Sequence, residues 1–202
     1  MRINRDLNLV IPLKLEEGEF FIHSTPISSE TFRQYFLVLS KVLNQIHSEG
    51  LHVVGPRIAS MLLQRIAEEG DPENIPSGWL GNADSWSGRF GVKNGLFNEI
   101  RRLSNVIMPT ENGWQSVPLY DVIKQELIPQ QKIEEVESLI VFFTCVWHIH
   151  SREEMEKFLV LSEKAWNTRT SSLTCTEYLD SLPTSTATET FVPTVKQSSI
   201  PG

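Results

Sequence analysis

NGLFNEIRRLSNVIMP, residues 94–109, is the stretch on which the reading of the fold turns. Leu96, Ile100, Leu103 and Ile107 fall at i, i+4, i+7 and i+11, the spacing of one apolar stripe on an α-helix. That spacing predicts a helix opening near Asn94 and stopped by Pro109, whose ring cannot continue it. The middle of the chain is then helical, and the strands are confined to its beginning.

Toward the C-terminus, ENGW (111–114) reads as a turn, and Val117-Pro118 starts a shorter helix through Val122 and Leu127. Pro129 separates it from a helix over about 130–150 that is polar at first and apolar on nearly every side from Leu139 to Trp147. Such a pattern marks the central helix of a bundle. SREE (151–154) is a capping box opening another helix, with Met155, Phe158, Leu159 and Trp166 as its stripe. TCTE (174–177) repeats the device and starts a short last helix through Tyr178, Leu179 and Leu182. From Pro183 the chain is rich in Thr, Ser and Pro, so 183–202 reads as a flexible tail.

Toward the N-terminus, residues 70–91 form a long loop by their glycines, prolines and serines, yet carry Trp79, Trp86 and Phe90. Those aromatics either fold back as a lid over the core or wait for a partner. Before the loop come two amphipathic helices. One is capped by Ser28, has Phe32, Tyr35, Phe36, Leu39, Leu43 and Ile46 on its stripe, and ends at Gly50. The other opens at Gly55-Pro56 and ends at Gly70. Leu7, Leu9, Ile11 and Leu13 alternate with other residues and read as a strand that turns at 16–18 and returns over 19–23. The hairpin offers a free edge that another extended chain could join.

The fold class expected is therefore α+β and mainly α: an N-terminal hairpin (1–25) followed by a bundle of six or seven helices. It forms a single domain over 1–182 with the tail after it. No internal repeat is visible.

A formal charge of −7 and scattered basic residues argue against nucleic-acid binding, which needs a concentrated basic face. No apolar run approaches the roughly 18 residues of a membrane helix, and no signal peptide is evident, so a cytoplasmic protein is expected. The two cysteines, 30 positions apart, suit a reducing compartment better than a bridge.

CVWHIHSREE (145–154) is the densest cluster of reactive side chains. On a helix, however, His148 and His150 point about 200° apart and cannot grip one ion. Cys145 lies among apolar neighbours that raise a thiol pKa. The cluster reads as a helix-to-helix handover. His47 and His52 lack an accompanying acid or cysteine array, and no phosphate loop, nucleophile elbow or calcium loop appears. Neither a catalytic residue, a metal ligand nor a cofactor is expected. The partner-binding candidates are Trp79, Trp86 and Phe90 on the loop, with Phe191 and Val192 in the tail as a short docking element.

The order of segments adds a further expectation. RDLNLVIPL (5–13), FFIHSTPIS (20–28), GPRIASMLL (55–63), NGLFNEIRRLSNV (94–106), SLIVFF (138–143) and CTEYLDSLPTSTAT (175–188) together resemble tail assembly chaperones of long-tailed bacteriophages and their prophages. The resemblance spans residues 1 to about 190 and rests on the succession of segments, without a single diagnostic motif. It implies a non-enzymatic role in the host cytoplasm, coating the tape measure protein, keeping it soluble and recruiting tail tube subunits around it. Such genes often make a longer product by translational frameshifting. The class is largely helical, and the hairpin read here departs from its simplest pattern. A soluble acidic domain with exposed aromatics agrees with that role, as monomer or homo-oligomer. The rival readings are a structural tail component, such as a completion or tube-associated protein, and an enzyme with a non-obvious site.

Overall fold

The computed structural model describes residues 7–16, 18–51, 54–69, 95–111, 113–149, 163 and 167–183. The N-terminal alternation folds as a hairpin. Strands β1 (Asn8–Leu15) and β2 (Gly18–Ser24) pair antiparallel, with Leu15 opposite Gly18. Gly18 closes it at φ 140°, a conformation that L side chains rarely adopt.

Helix α1 (Ser29–Ser48) follows with Ser28 as its cap, the Ser28 hydroxyl accepting from the Thr31 amide at 3.0 Å. Helix α2 (Gly55–Glu69) turns back along it. The two come close at Gly55, where an added Cβ would lie 2.5 Å from the Cγ2 of Ile46. A β-branched methyl cannot swing aside cheaply. Gly55→Ala is therefore expected to cost about 1–3 kcal/mol by overpacking, read from chemical denaturation; an unchanged midpoint would show that the helix pair has slack.

The stretch at 94–109 departs from the expected helix. Among the described residues there, a π-helical turn at 95–96 leads into α3 (Phe97–Arg102), and Ser104–Thr110 is a strand, β3. The Ser104 hydroxyl donates to the carbonyl of Ile100 at 2.8 Å, closing off the helix. The chain then extends through Val106 and Ile107, whose branched side chains favour strand. What reads as a turn and a helix start at 111–118 is the partner strand β4 (Gly113–Pro118), and the short helix α4 (Leu119–Lys124) begins only after Pro118. Helix α5 (Gln130–Ile149) is the expected central helix, buried through 136–146 except at the half-buried Leu139. A three-residue strand β5 (Arg169–Ser171) and the short helix α6 (Cys175–Ser181) complete the described elements.

A bundle of six or seven helices behind a hairpin is thus corrected to a mixed fold built on a five-stranded antiparallel sheet, with six helices among the described residues. Strand order is β4-β3-β2-β1-β5. The largely helical fold implied by the resemblance is corrected with it. Residues 70–91 and 184–202, the expected loop and all but the first residue of the expected tail, lie outside the described residues, as does the SREE cap.

Alternation assigns each strand two faces. Leu9, Ile11, Phe20, Ile22, Val106 and Met108 join the first face, under a layer formed by α1, α2 and α5. Polar contacts lock that layer: Ser60 and Ser138 bring their hydroxyls to 2.6 Å between α2 and α5, and Arg101 of α3 donates to buried Glu137 of α5 at 2.6 Å. Val10, Phe21 and Ile107 form a smaller core on the second face.

Candidate protein-binding surface

Among the described residues, the second face is covered by one segment, residues 169–183. It starts at one edge of the sheet, where β5 pairs with β1 in the register Asn8 opposite Ser171 and Val10 opposite Arg169. The Glu163 carboxylate fastens that edge by accepting from the amide and the hydroxyl of Thr170, both at 3.1 Å. Thr174 and Glu177 then form the expected capping box at the start of α6. Seven residues are too few for a helix to stand alone in water, so packing has to hold it. Cys175, Tyr178, Leu179 and Leu182 pack against Val10, Phe21 and Ile107, yet none of the residues of α6 is itself buried. At the far edge, Trp114 of β4 donates its indole N–H to the carbonyl of Pro183 at 2.8 Å. The segment is a strap that supplies β5 and crosses the other four strands.

Beneath the strap sits an aromatic cluster. The Phe21 ring meets Trp114 at 5.6 Å and Tyr178 edge-on at 6.0 Å, and His23 lies 5.9 Å from Tyr178. His23 is 1% exposed. Its Nε2 lies 3.0 Å from the carbonyl of Leu173, which also accepts from the Asn8 amide at 2.8 Å. A carbonyl can only accept, so Nε2 carries the proton and Nδ1 is bare in the neutral ring. That buried Nδ1 has no hydrogen-bond partner among the described residues. Burial holds the imidazole below its ordinary range, against a weaker opposite pull from the carbonyls of Leu173 and His23 itself.

Among the described residues the sheet ends at β4. The edges of the N-terminal hairpin are occupied in part, β1 by β5 at Asn8–Val10 and β2 by β3 at Phe21–Ser24, so the free edge expected there is reduced to Ile11–Leu15 of β1 among the described residues. The outer edge of β4 instead has no strand beside it among the described residues, and its sequence GWQSVP carries no charge. Natural edge strands are usually blunted by charge, bulge or central proline; β4 has proline only at its end.

The histidine and cysteine cluster resolves into packing. His148 stacks on Phe32 at 4.3 Å and donates from Nε2 to the carbonyl of Ile27 at 3.0 Å, fastening the β2–α1 connection to α5. Cys145 is buried, its thiol 3.5 Å from the carbonyl of Leu39 and pushed up to about 12 by burial. Both cysteines are free. No group of three or more His, Cys, Asp or Glu placed to hold a metal occurs among the described residues, and no helix among them is long and apolar enough to cross a membrane. His52, His150, Trp79, Trp86, Phe90, Phe191 and Val192 lie outside the described residues.

No family model, curated protein or solved structure matches the chain.

Sequence reading missed Asn8 and His23. Their signal is a polar side chain at an inward position of a period-2 pattern: Asn8 shares its face with Val10, and His23 shares its face with Phe21. A polar residue on a covered face implies a partner for its hydrogen bonds, here the strap.

Burial lowers the pKa of His148 as well as that of His23. Above about pH 6.5 both rings are neutral in the folded and the unfolded chain. As the pH falls through that value, the unfolded chain takes up protons that the folded one refuses. Stability therefore declines, by at most about 1.4 kcal/mol per pH unit for each ring, until the folded rings protonate too. Urea midpoints at neutral and mildly acid pH should show this decline in the wild type and a smaller one in His148→Gln; equal declines would remove His148 from the account.

Proposed function

We propose that the chain is a non-enzymatic, protein-binding adaptor of bacteriophage tail assembly. It holds the tape measure protein soluble and recruits tail tube subunits around it. The observation that carries the binding part is the uncharged outer edge of β4, unpaired among the described residues, which can add one extended strand of a client by main-chain hydrogen bonds. Specificity would come from the side chains flanking that edge, Trp114 and Ser116 on the strap side and Gln115 and Val117 on the other. The affinity of one such contact is modest. Many copies along a long client gain by avidity, which suits a coat that must later come off.

The tail-assembly part rests on the succession of segments that resembles the phage chaperones. Those segments fall on β1, β2, α2, α3 with the start of β3, the middle of α5, and α6. They supply three of the five strands and the helix of the strap, so the likeness lies in the framework of the domain.

Co-expression tests the proposal. A tape measure protein that aggregates alone should stay in the supernatant with this chain and co-purify with it, and finished particles should lack the chain. A tape measure protein that precipitates equally with and without the chain would overturn the proposal. Stoichiometric recovery of the chain from mature particles would assign it to the tail structure instead.

A further inference from the structure

The polar anchor of the strap is a titratable one. His23 stands on β2, the middle strand, with neighbouring strands paired on both sides, so the ladders hold its backbone in place. The register places it in a row across the second face: Pro118 of β4, Asn105 of β3, His23, Val10 of β1 and Arg169 of β5. Within the described residues, the strap is what separates that ring from water.

A neutral ring fits: its one N–H meets the carbonyl of Leu173, and Nδ1 needs no acceptor. A charged ring does not fit. It carries a second N–H on Nδ1, which makes no hydrogen bond among the described residues and has only the weak pull of its own carbonyl, and it places a positive charge against Phe21, Val10 and Tyr178. A buried donor without a partner, like a buried charge without a counterion, favours any conformation that returns it to water.

The other charged or titratable groups on this face do little to change the balance. Arg169 stands two strands away from His23, about 10 Å at ordinary strand spacing, and as a cation it disfavours a second one. Glu19 lies four residues along β2 and Lys14 opposite it on β1, both exposed and screened by solvent. From α6 come the thiol of Cys175 and the hydroxyl of Tyr178, which burial holds above its ordinary range. Glu177 is engaged by Thr174 in the capping box, and Asp180 is exposed.

We propose that residues 169–183 are a proton-operated strap, closed over the second face of the sheet while His23 is neutral and released when that imidazole becomes charged. The four strands β4-β3-β2-β1 and their helical layer stay folded, because their ladders and the larger core do not involve the ring, while β5 leaves β1 with the strap. Release bares Val10, Phe21, Ile107 and Trp114, and it frees the Trp114 indole from Pro183 beside the β4 edge. The device holds whatever binds at that edge.

The two cysteines make the test possible in the wild-type chain. Cys175 rides on the strap and Cys145 is sealed within the helical layer, on α5 against α1. Each thiol is labelled with an aromatic disulfide that reacts in acid, the labelled peptides are quantified by mass, and rates are divided by that of a free thiol at the same pH. Between about pH 7.5 and pH 5.5 the relative rate at Cys175 should rise, by at most about tenfold per pH unit, while Cys145 stays protected. His23→Gln, which keeps a donor for Leu173 but cannot titrate, should flatten the rise. A flat Cys175 profile in the wild type would overturn the proposal. So would a rise shared by Cys145, which would mean the whole domain opens. Should the His23→Gln chain fail to fold, amide hydrogen exchange of the wild type decides. Amides of 169–183 should lose protection in acid, while those of Ile22 and Val106 keep theirs; loss at all of them, or at none, contradicts the strap.

Discussion

Arg101→Met is expected to destabilise the fold by about 3 kcal/mol, the low end of the range for breaking a buried ion pair. Glu137 is 3% exposed in the middle of α5, and the guanidinium of Arg101 reaches it at 2.6 Å from α3 while lying 5.9 Å over the ring of Phe97. Removing the cation leaves a carboxylate inside the helical layer with its hydrogen bond gone. The side chain of Arg101 is itself 27% exposed, so water can partly replace it, which keeps the expected loss near the low end. The double change Arg101→Met with Glu137→Leu should recover most of the loss, because desolvating the pair costs about as much as its attraction returns. Urea unfolding of the two single variants and the double variant checks this. A loss below about 1 kcal/mol in Arg101→Met would mean that the ion pair is not enclosed as described.

Ile107→Ala is expected to cost about 2–4 kcal/mol and Val106→Ala more than about 1 kcal/mol, in proportion to the methyl groups removed. Both residues are fully buried although adjacent, Val106 against the helical layer and Ile107 against Val10 and Phe21. Neighbours buried on opposite sides are what a strand covered on both faces produces. On a helix Val106 would be turned about 100° away from the stripe that carries Ile107. A loss below about 0.5 kcal/mol for either variant, measured by denaturant titration, would restore the helical reading of 94–109.

That stretch also shows where the fold was legible and where it was not. The hairpin announced itself because β1 alternates and its turn carries Gly18. Helices α1 and α2 did so because their caps and stripes agree, α5 because it is apolar on nearly every side from Leu139 to Trp147, and the Thr174 capping box marked α6. Strand β3 did not. Its three central residues are all apolar because the sheet is covered on both faces, so period 2 vanishes from the hydropathy, and Leu103 and Ile107 prolong the stripe of α3 by coincidence. Once β3 is read as helix, β4 loses its partner and reads as a turn. Strand β5 is three residues long and pairs with β1 about 160 positions earlier, a contact that local pattern cannot reveal.

The candidate surface was legible only in kind. Protein binding through an exposed sheet edge was expected, but at the N-terminal hairpin, where β5 and β3 occupy Asn8–Val10 and Phe21–Ser24. The available edge is β4, and its recognition required the strand order. His148 and Cys145 were legible as packing residues because helical spacing separates His148 from His150 and because the neighbours of Cys145 are apolar. His23 looked like one more residue of an apolar strand until the carbonyl of Leu173, 150 positions away, was found against it.

The central claim is that an extended segment of a client polypeptide adds to the outer edge of β4. Amide hydrogen exchange of the chain alone and in complex with a tape measure protein tests it most directly. The amides of Gly113–Val117 should gain protection in the complex, while those of the three-stranded pairing among β1, β2 and β3 stay as they were. A complex that forms with the exchange of Gly113–Val117 unchanged would contradict it.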